Sequence, residues 1–124
     1  MGEAMRNNRR QVPRTSVQLP VRLKGTGMIR WAETLTKDLS LQGFRCTMHG
    51  AFWPVGTRVT FEVPLFPAED PMSGRARIIH LGEIPYSDRH YVGLQFSDLS
   101  ADALRQLQLY LNRHGIVTQP PRTK

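Results

Sequence analysis

The sequence lacks the features that would place the chain in a membrane or outside the cell. No apolar run approaches the roughly 20 residues that a membrane-spanning helix needs. The N-terminus is polar and rich in arginine, with no apolar segment behind it, so it does not match a secretory signal. The single cysteine, Cys46, cannot form an internal disulfide and lies in an alternating apolar pattern, which predicts a buried structural thiol. We therefore expect a cytoplasmic protein that is not embedded in a membrane.

The patterns that accompany catalysis are also missing. The sequence contains no GxGxxG fingerprint, no Walker loop and no GxSxG nucleophile elbow. Its histidines are scattered and do not have the spacing of a zinc site: His49, His80, His90 and His114. With no matched acid and base in view, we expect a protein that is not an enzyme and that holds no metal or cofactor.

Positive charge is what the sequence has in excess. Among 124 residues, 17 Lys and Arg outnumber 10 Asp and Glu, which gives a formal net charge of +7. Such a balance favours an anionic partner: a nucleic acid, a membrane surface or a phosphorylated small molecule. The excess is concentrated near the N-terminus, where Arg6, Arg9, Arg10 and Arg14 accompany a single acid, Glu3.

The length and the hydrophobic periodicity predict one domain over residues 9–115, between a flexible arm (1–8) and a disordered tail (116–124). Apolar residues alternate with polar ones in six segments, which predict strands at 17–23, 28–37, 44–48, 57–65, 75–81 and 89–97. Pro20 falls inside the first segment and indicates either an edge strand or a bulge.

One helix is predicted after the strands. Ser100 is a suitable N-cap, and Gly115 is a suitable residue to end the helix. Its apolar stripe consists of Leu104, Leu107 and Leu111. Six short strands followed by an amphipathic helix predict a mainly β fold, an antiparallel barrel or sandwich with the helix packed against it.

Two short motifs carry the candidate binding site. Arg10 and Arg14 are four residues apart, with Arg9 adjacent, and guanidinium groups bind both phosphates and the edge of guanine in a bidentate manner.

The second motif, residues 38–43, places a carboxylate, a hydroxyl and a glycine on one turn. Asp38 can accept hydrogen bonds from a guanine N–H edge, Ser40 can bond a phosphate or a base, and Gly43 permits close backbone approach.

In this order and on this strand pattern, the two motifs resemble those of the PilZ domain family, RxxxR followed by [DN]xSxxG. Residues 92–96 also resemble a late strand of that family, and the resemblance extends over residues 9–115. It implies a six-stranded antiparallel β-barrel with one C-terminal α-helix. It also implies a receptor without catalytic activity for the bacterial second messenger cyclic di-GMP.

The resemblance assigns roles to the motif residues one by one. Arg10 and Arg14 would grip guanine and phosphate, as the RxxxR arginines do in the family. Asp38, Ser40 and Gly43 would hold the ligand against the barrel surface.

Two further positions follow from the resemblance. Some members with an arginine directly before RxxxR bind an intercalated pair of ligand molecules, so Arg9 implies two cyclic di-GMP molecules per chain. His80 lies where some members carry an aromatic residue that stacks on a base, although a strand histidine with no ligand role fits the sequence equally well.

The output of such a receptor would be a protein partner in motility, biofilm or polysaccharide synthesis, pilus function, secretion or virulence, and we expect the chain itself to be a monomer or a weak dimer. Two alternatives remain open. One is a basic β-barrel that binds nucleic acid through the arm and exposed aromatic residues such as Trp31, Trp53 or Tyr91. The other is a PilZ-like adaptor that contacts only proteins, against which the intact arginine motif counts.

Overall fold

The structure is a computed structural model that describes residues 14–49 and 53–114. Within these residues the elements, in chain order, are β1 (Thr15–Ser16), β2 (Pro20–Gly25), β3 (Ala32–Leu39), β4 (Gly43–His49), β5 (Arg58–Val63), β6 (Met72–Glu83), β7 (Arg89–Leu99) and α1 (Ala101–Arg113). The predictions for the N-terminal arm, for Arg9 and Arg10, for Gly115 and for the tail lie outside the described residues.

Six of the strands close into an antiparallel barrel. The order around the ring is β3-β2-β5-β6-β7-β4, and the pairing of β4 with β3 joins its two ends. The short β1 pairs with β3 beyond the end of β2. This architecture confirms the barrel and excludes the open sandwich. Side chains of one parity point inward along each strand and fill the interior, among them Val21, Leu23, Phe44, Phe61, Ile78 and Val92.

The second predicted strand begins later than its sequence pattern indicated. Residues 28–31 belong to the loop between β2 and β3, and Ile29 is 90% exposed. A turn forms here because Gly27 has a positive φ of 84° and the amide of Met28 donates to the carbonyl of Gly25 at 3.0 Å. Residues 28–31 therefore do not belong to the strand predicted at 28–37, and that part of the prediction is wrong.

Pro20 is the first residue of β2 and lies next to an irregularity in the pairing with β3. Ser16 of β1 pairs with Asp38, and Pro20 of β2 pairs with Leu35. Between these two pairs the chain from β1 to β2 advances four residues, whereas β3 advances only three. The buried Thr36 spans this irregularity, because its hydroxyl accepts from the amide of Leu19 at 2.9 Å and donates to the carbonyl of Val17. The extra residue agrees with a bulge beside Pro20. Although β2 pairs with both β3 and β5, its ladder with β5 begins only at Arg22, so Pro20 itself lies outside that ladder.

The helix α1 begins as the sequence predicts, with the side chain of Ser100 accepting from the amide of Ala103 at 3.0 Å. Leu107 and Leu111 are buried, but Leu104 is 39% exposed, so its assignment to the buried stripe is wrong. The buried face is centred on Ala103, Gln106, Leu107, Tyr110 and Leu111. That face turns Leu104 to the boundary with solvent. In the part of the chain that the structure describes, no helix has both the length and the apolar character to cross a membrane.

Candidate functional site

The DxSxxG motif joins the end of β3 to the start of β4. Its first residue, Asp38, is re-aimed by a β-bulge, because Thr36 pairs with Cys46 but Asp38 pairs with the very next residue, Arg45. Lys37 is the extra residue of this bulge. Bulges commonly redirect a side chain near a binding site. Here the bulge leaves Asp38 directly beside Arg45 on the neighbouring strand.

Asp38 is a buried carboxylate held by two guanidinium groups. Its side chain is 7% exposed. Arg45 Nε donates to Asp38 Oδ2 at 2.6 Å, and Arg14 Nη1 donates to Oδ1 at 3.3 Å. Charge-assisted bonds of this kind compensate for the burial of the carboxylate. The carboxylate therefore fixes the positions of two arginines at the barrel surface.

Arg14 reaches Asp38 because β1 is tied to the same strand. Thr15 pairs with Leu39 and Ser16 pairs with Asp38, so the short β1 ladder brings the residue just before it to the end of β3. The guanidinium of Arg14 remains partly exposed, with 42% of its side-chain surface open to solvent. The last arginine of the RxxxR motif thus lies where the sequence predicts, next to the turn.

The hydroxyl of Ser40 is engaged within the turn itself. It accepts from the amide of Gln42 at 3.1 Å and from the amide of Gly43 at 3.3 Å, and the Ser40 amide donates to the carbonyl of Gly43 at 2.9 Å. Ser40 is buried. These bonds give the residue a structural role, that of closing the β3–β4 turn beside the site.

Gly43 is required by the packing of β4 against β7. A Cβ at this position would lie 1.9 Å from the carbonyl oxygen of Leu94, and therefore no side chain fits. The sequence predicts that this glycine permits the close approach of a ligand. In the structure it permits the close approach of a neighbouring strand.

A groove of about 380 Å³ runs across the outer face of β4, β6 and β7 beside this turn. Four of the predicted site residues lie along it: Arg14, Ser40, Gly43 and His80. Asp38 lies beside it as the partner of two lining arginines, Arg14 and Arg45. The structure therefore brings together every predicted site residue that it describes, and Arg9 and Arg10 lie outside the described residues.

His80 enters the groove through a second bulge. Ile78 pairs with Leu94, and His80 pairs with the adjacent Gly93, so Ile79 is an extra residue in β6. This places Ile79 and His80 together on the outer face, where both are exposed. A Cβ on Gly93 would lie 3.3 Å from the Cβ of His80, closer than ordinary contact, so glycine makes room for the histidine above β7.

Three polar residues of the groove were missed by the sequence analysis: Gln42, Arg45 and Gln95. Arg45 could have been identified from the sequence, because it follows the motif glycine by two residues and alternates with the inward-facing Phe44 and Cys46. Gln95 carried no such signal. Its place opposite Gly43 depends on β4 pairing with β7, a long-range pairing that no local pattern specifies.

The aromatic residues named for nucleic-acid binding are engaged elsewhere. Trp53 is buried in the core. Trp31 packs against the side chains of Arg22 and Lys24, at 4.4 Å and 4.8 Å from its ring centre. Tyr91 lies 5.1 Å from the ammonium group of Lys37. These contacts do not form a row of open rings on which successive bases would stack.

Comparison with known proteins gives a family and a set of folds. The family described as PilZ domain matches residues 8–113. The search of curated proteins gives no match.

Among solved structures, the *Bacillus subtilis* inhibitor of motility (MotI/DgrA) superimposes with a TM-score of 0.73 at 21% identity, over 86% of this chain and 51% of that one. The PilZ domain of *Escherichia coli* YcgR with c-di-GMP gives 0.67 at 21% identity, over 86% and 94%. The PilZ domain of CeSA from a cellulose-synthesizing bacterium gives 0.61 at 19%, over 82% and 98%. The chain thus spans about half the length of the *B. subtilis* protein, and at these identities the likeness is one of fold.

Proposed function

The chain belongs to the PilZ domain family, and from that premise we propose that it is a non-catalytic receptor for cyclic di-GMP. The observation that carries the proposal is the groove, in which Arg14, Arg45 and His80 surround one concave surface. A cyclic dinucleotide offers two phosphates to guanidinium groups and two guanines with flat faces and polar edges. The *E. coli* PilZ domain of the same fold was solved with c-di-GMP, which supports this choice among anionic ligands.

Arg14 is the residue that would engage the ligand first. One of its nitrogens, Nη1, donates to Asp38 at 3.3 Å, and the remainder of its guanidinium faces solvent at the groove. Arg45 holds the same carboxylate more closely, at 2.6 Å. Asp38 therefore keeps a partner when the side chain of Arg14 rotates toward a phosphate or a guanine edge. The free-energy cost of breaking the bond between Arg14 and Asp38 is accordingly small.

The other groove residues suit the bases. His80 is exposed beside the glycine that faces it, and its ring can lie against a guanine. Gln42 and Gln95 carry amides with both donors and acceptors, which match the polar edge of a purine. Asp38, Ser40 and Gly43 act in this proposal by shaping the site, since their polar atoms and backbone are engaged in the turn.

Arg9 and Arg10 complete the proposal from the sequence side. Together with Arg14 they would close over the ligand, and Arg9, the arginine before the motif, favours two cyclic di-GMP molecules per chain. The ligand would bridge the N-terminal segment and the barrel, and the new surface would be read by a protein partner of a motility, biofilm, pilus, secretion or virulence system.

Isothermal titration calorimetry with cyclic di-GMP tests the receptor function, with GTP and GMP as controls. We expect micromolar or tighter binding of cyclic di-GMP alone, with a stoichiometry near two. Arg9→Leu should reduce that stoichiometry, and an unaltered value would contradict the role given to Arg9. The absence of heat, together with the absence of a thermal shift, would overturn the receptor proposal.

The variant Arg14→Ala separates binding from folding. It should abolish or strongly weaken binding while leaving the melting temperature of the free protein nearly unchanged, because a half-exposed ion pair contributes little to stability. Arg75→Ala is a matched control, since Arg75 also pairs with a carboxylate, Asp98 at 3.5 Å, but does not line the groove. Equal loss of affinity in both variants would place the ligand elsewhere.

A further inference from the structure

The loop between β2 and β3 exposes apolar side chains to solvent. Ile29 is 90% exposed, and Val55, in the segment that precedes β5, is 59% exposed; they are the two most exposed aliphatic side chains in the described part of the chain. Met28 is 39% exposed beside Ile29. Exposed apolar groups that are collected in one place mark contact with a protein or a membrane.

Contacts of Gly25 and Thr26 with the start of β5 place the two segments side by side. A Cβ on Gly25 would meet the sulfur of Met28 at 3.2 Å and a methyl of Thr57 at 3.8 Å. The amide of Thr26 donates to the carbonyl of Arg58 at 3.1 Å. The apolar residues therefore lie at one end of the barrel, in two neighbouring loops; Met28, Ile29 and Val55 are called the tip residues below.

The surroundings of the tip residues are cationic. Residues 24–31, 53–58 and 76–80 contain four Lys and Arg and no Asp or Glu: Lys24, Arg30, Arg58 and Arg77. Arg58 and Arg77 lie directly opposite each other in the β5–β6 ladder, an arrangement that destabilises a sheet by like-charge repulsion. Within residues 14–49 and 53–114, neither of these two arginines has an ion-pair partner. An external anion at this surface would relieve the repulsion.

The shape of the surface distinguishes among anionic partners. β2 and β3 are paired on both sides in the closed ring, so neither offers a free edge to an added peptide strand. The ring of Trp31 is held against Arg22 and Lys24 and is not an open platform for a base. Ile29 is 90% exposed and stands in solvent.

We propose that the tip residues and the cations around them form a contact surface for an anionic lipid bilayer. Apolar side chains at a projecting loop insert among the headgroups, while lysines and arginines lie near the lipid phosphates. Such a surface needs no complementary shape in its partner, which suits side chains carried on two loops. This contact is independent of the nucleotide, so it stands or falls separately from the receptor function.

Sedimentation of the full chain with lipid vesicles tests the proposal in the absence of nucleotide. We expect binding to vesicles of phosphatidylcholine with phosphatidylglycerol and little binding to phosphatidylcholine alone. Ile29→Ser should lower the partition coefficient about tenfold, since the variant removes the most exposed aliphatic chain. Arg58→Ser should lower it about fivefold, the effect of removing one cation near an anionic membrane surface.

Tyr86→Ser is the matched control. Tyr86 is fully exposed in the β6–β7 hairpin at the same end of the barrel, but its neighbours along the chain include Glu83 and Asp88. Its replacement should change vesicle binding less than about twofold, because acids on that hairpin repel the lipid phosphates. Ile29→Ser and Tyr86→Ser change exposed residues, so their melting temperatures should match that of the unaltered protein. That of Arg58→Ser should equal or exceed it, because this variant removes the repulsion from Arg77.

Three outcomes would overturn the proposal. The first is no binding to anionic vesicles, which would leave an acidic protein as the occupant of the surface. The second is vesicle binding that does not respond to Ile29→Ser, which would assign it to general attraction by the arginines near the N-terminus. The third is an equal loss in Tyr86→Ser, which would show that the contact is not specific to the tip residues.

Discussion

Asp38 combines two properties at the scale of a single residue, burial and a pair of cationic partners. Removing a carboxylate from water costs several kcal/mol unless charged donors replace the solvent. Here Arg45 supplies the closer bond and Arg14 the longer one. The closer partner comes from β4, within the barrel, so the carboxylate remains neutralised whatever Arg14 does. Arg45 therefore holds the site together, while Arg14 is available to a ligand.

Arg45→Gln should therefore destabilise the fold more than an ordinary surface change. The variant leaves Asp38 with the weaker partner alone, and we expect a loss of about 1–2 kcal/mol, between the values for exposed and buried pairs. Urea denaturation of the free protein measures it. Arg75→Gln, which removes the exposed pair with Asp98, should cost less than about 0.5 kcal/mol. Equal midpoints for the two variants would contradict the structural role of Arg45.

Gly43→Ala is expected to be among the most damaging changes in the motif. The new Cβ would lie 1.9 Å from the carbonyl oxygen of Leu94, so β4 and β7 must separate, at a cost of about 3 kcal/mol or more. Gly82→Ala is the control, because its Cβ would meet its nearest neighbour at 3.5 Å, an ordinary contact. Thermal unfolding of both variants should show a large fall in melting temperature for the first and little change for the second.

The motif residues could be predicted from the sequence, but the structural role of each residue could not. Their order and spacing placed Arg14, Asp38, Ser40 and Gly43 at one site, and the structure brings them together. Their individual roles depend on contacts across strands. Gly43 is small because of Leu94, which is distant in the sequence, and no local pattern shows that requirement.

At the scale of elements, α1 gives a clear test of which face is buried. Leu107→Ala should destabilise the protein by about 2–5 kcal/mol, because this side chain is completely buried against the barrel. Leu104→Ala, three residues earlier on the same helix, should cost less than about 1 kcal/mol, since that side chain is partly exposed. Guanidinium denaturation distinguishes them. Similar losses in the two variants would mean that Leu104 belongs to the buried face after all.

Strand existence could be predicted from periodicity, whereas strand boundaries and bulges could not. Alternation identified β4, β5 and β7 to within a few residues. It failed at residues 28–31, where a glycine turn ends the ladder, and it missed the first three residues of β6. The bulges at Lys37 and Ile79 were also invisible, because an extra residue reveals itself only against a partner strand. Both bulges border the groove, so the least predictable backbone shapes the site.

At the scale of the whole molecule, barrel closure separates two kinds of surface. The groove lies across the outer face of β4, β6 and β7, beside the β3–β4 turn. The tip residues lie at the other end of β3, in the loop between β2 and β3 and in the segment that precedes β5. A closed ring has no free edge for strand addition, so contacts with partners depend on side chains of its faces and loops. The net charge of +7 favours anions at both surfaces.

The salt dependence of binding distinguishes a dinucleotide receptor from a nucleic-acid binder with the same net charge. Each phosphate contact to single-stranded nucleic acid adds a slope of about −0.7 to the plot of log affinity against log salt. For a ligand with two phosphates, affinity should therefore fall by less than about tenfold between 50 and 200 mM salt, roughly the range over which a protein with many duplex contacts loses about a thousandfold or more. Calorimetry with cyclic di-GMP and fluorescence anisotropy with a labelled oligonucleotide, across the same salt series, measure both. If the oligonucleotide binds tightly with an affinity that falls steeply with salt, and cyclic di-GMP does not bind, the basic groove is assigned to nucleic acid.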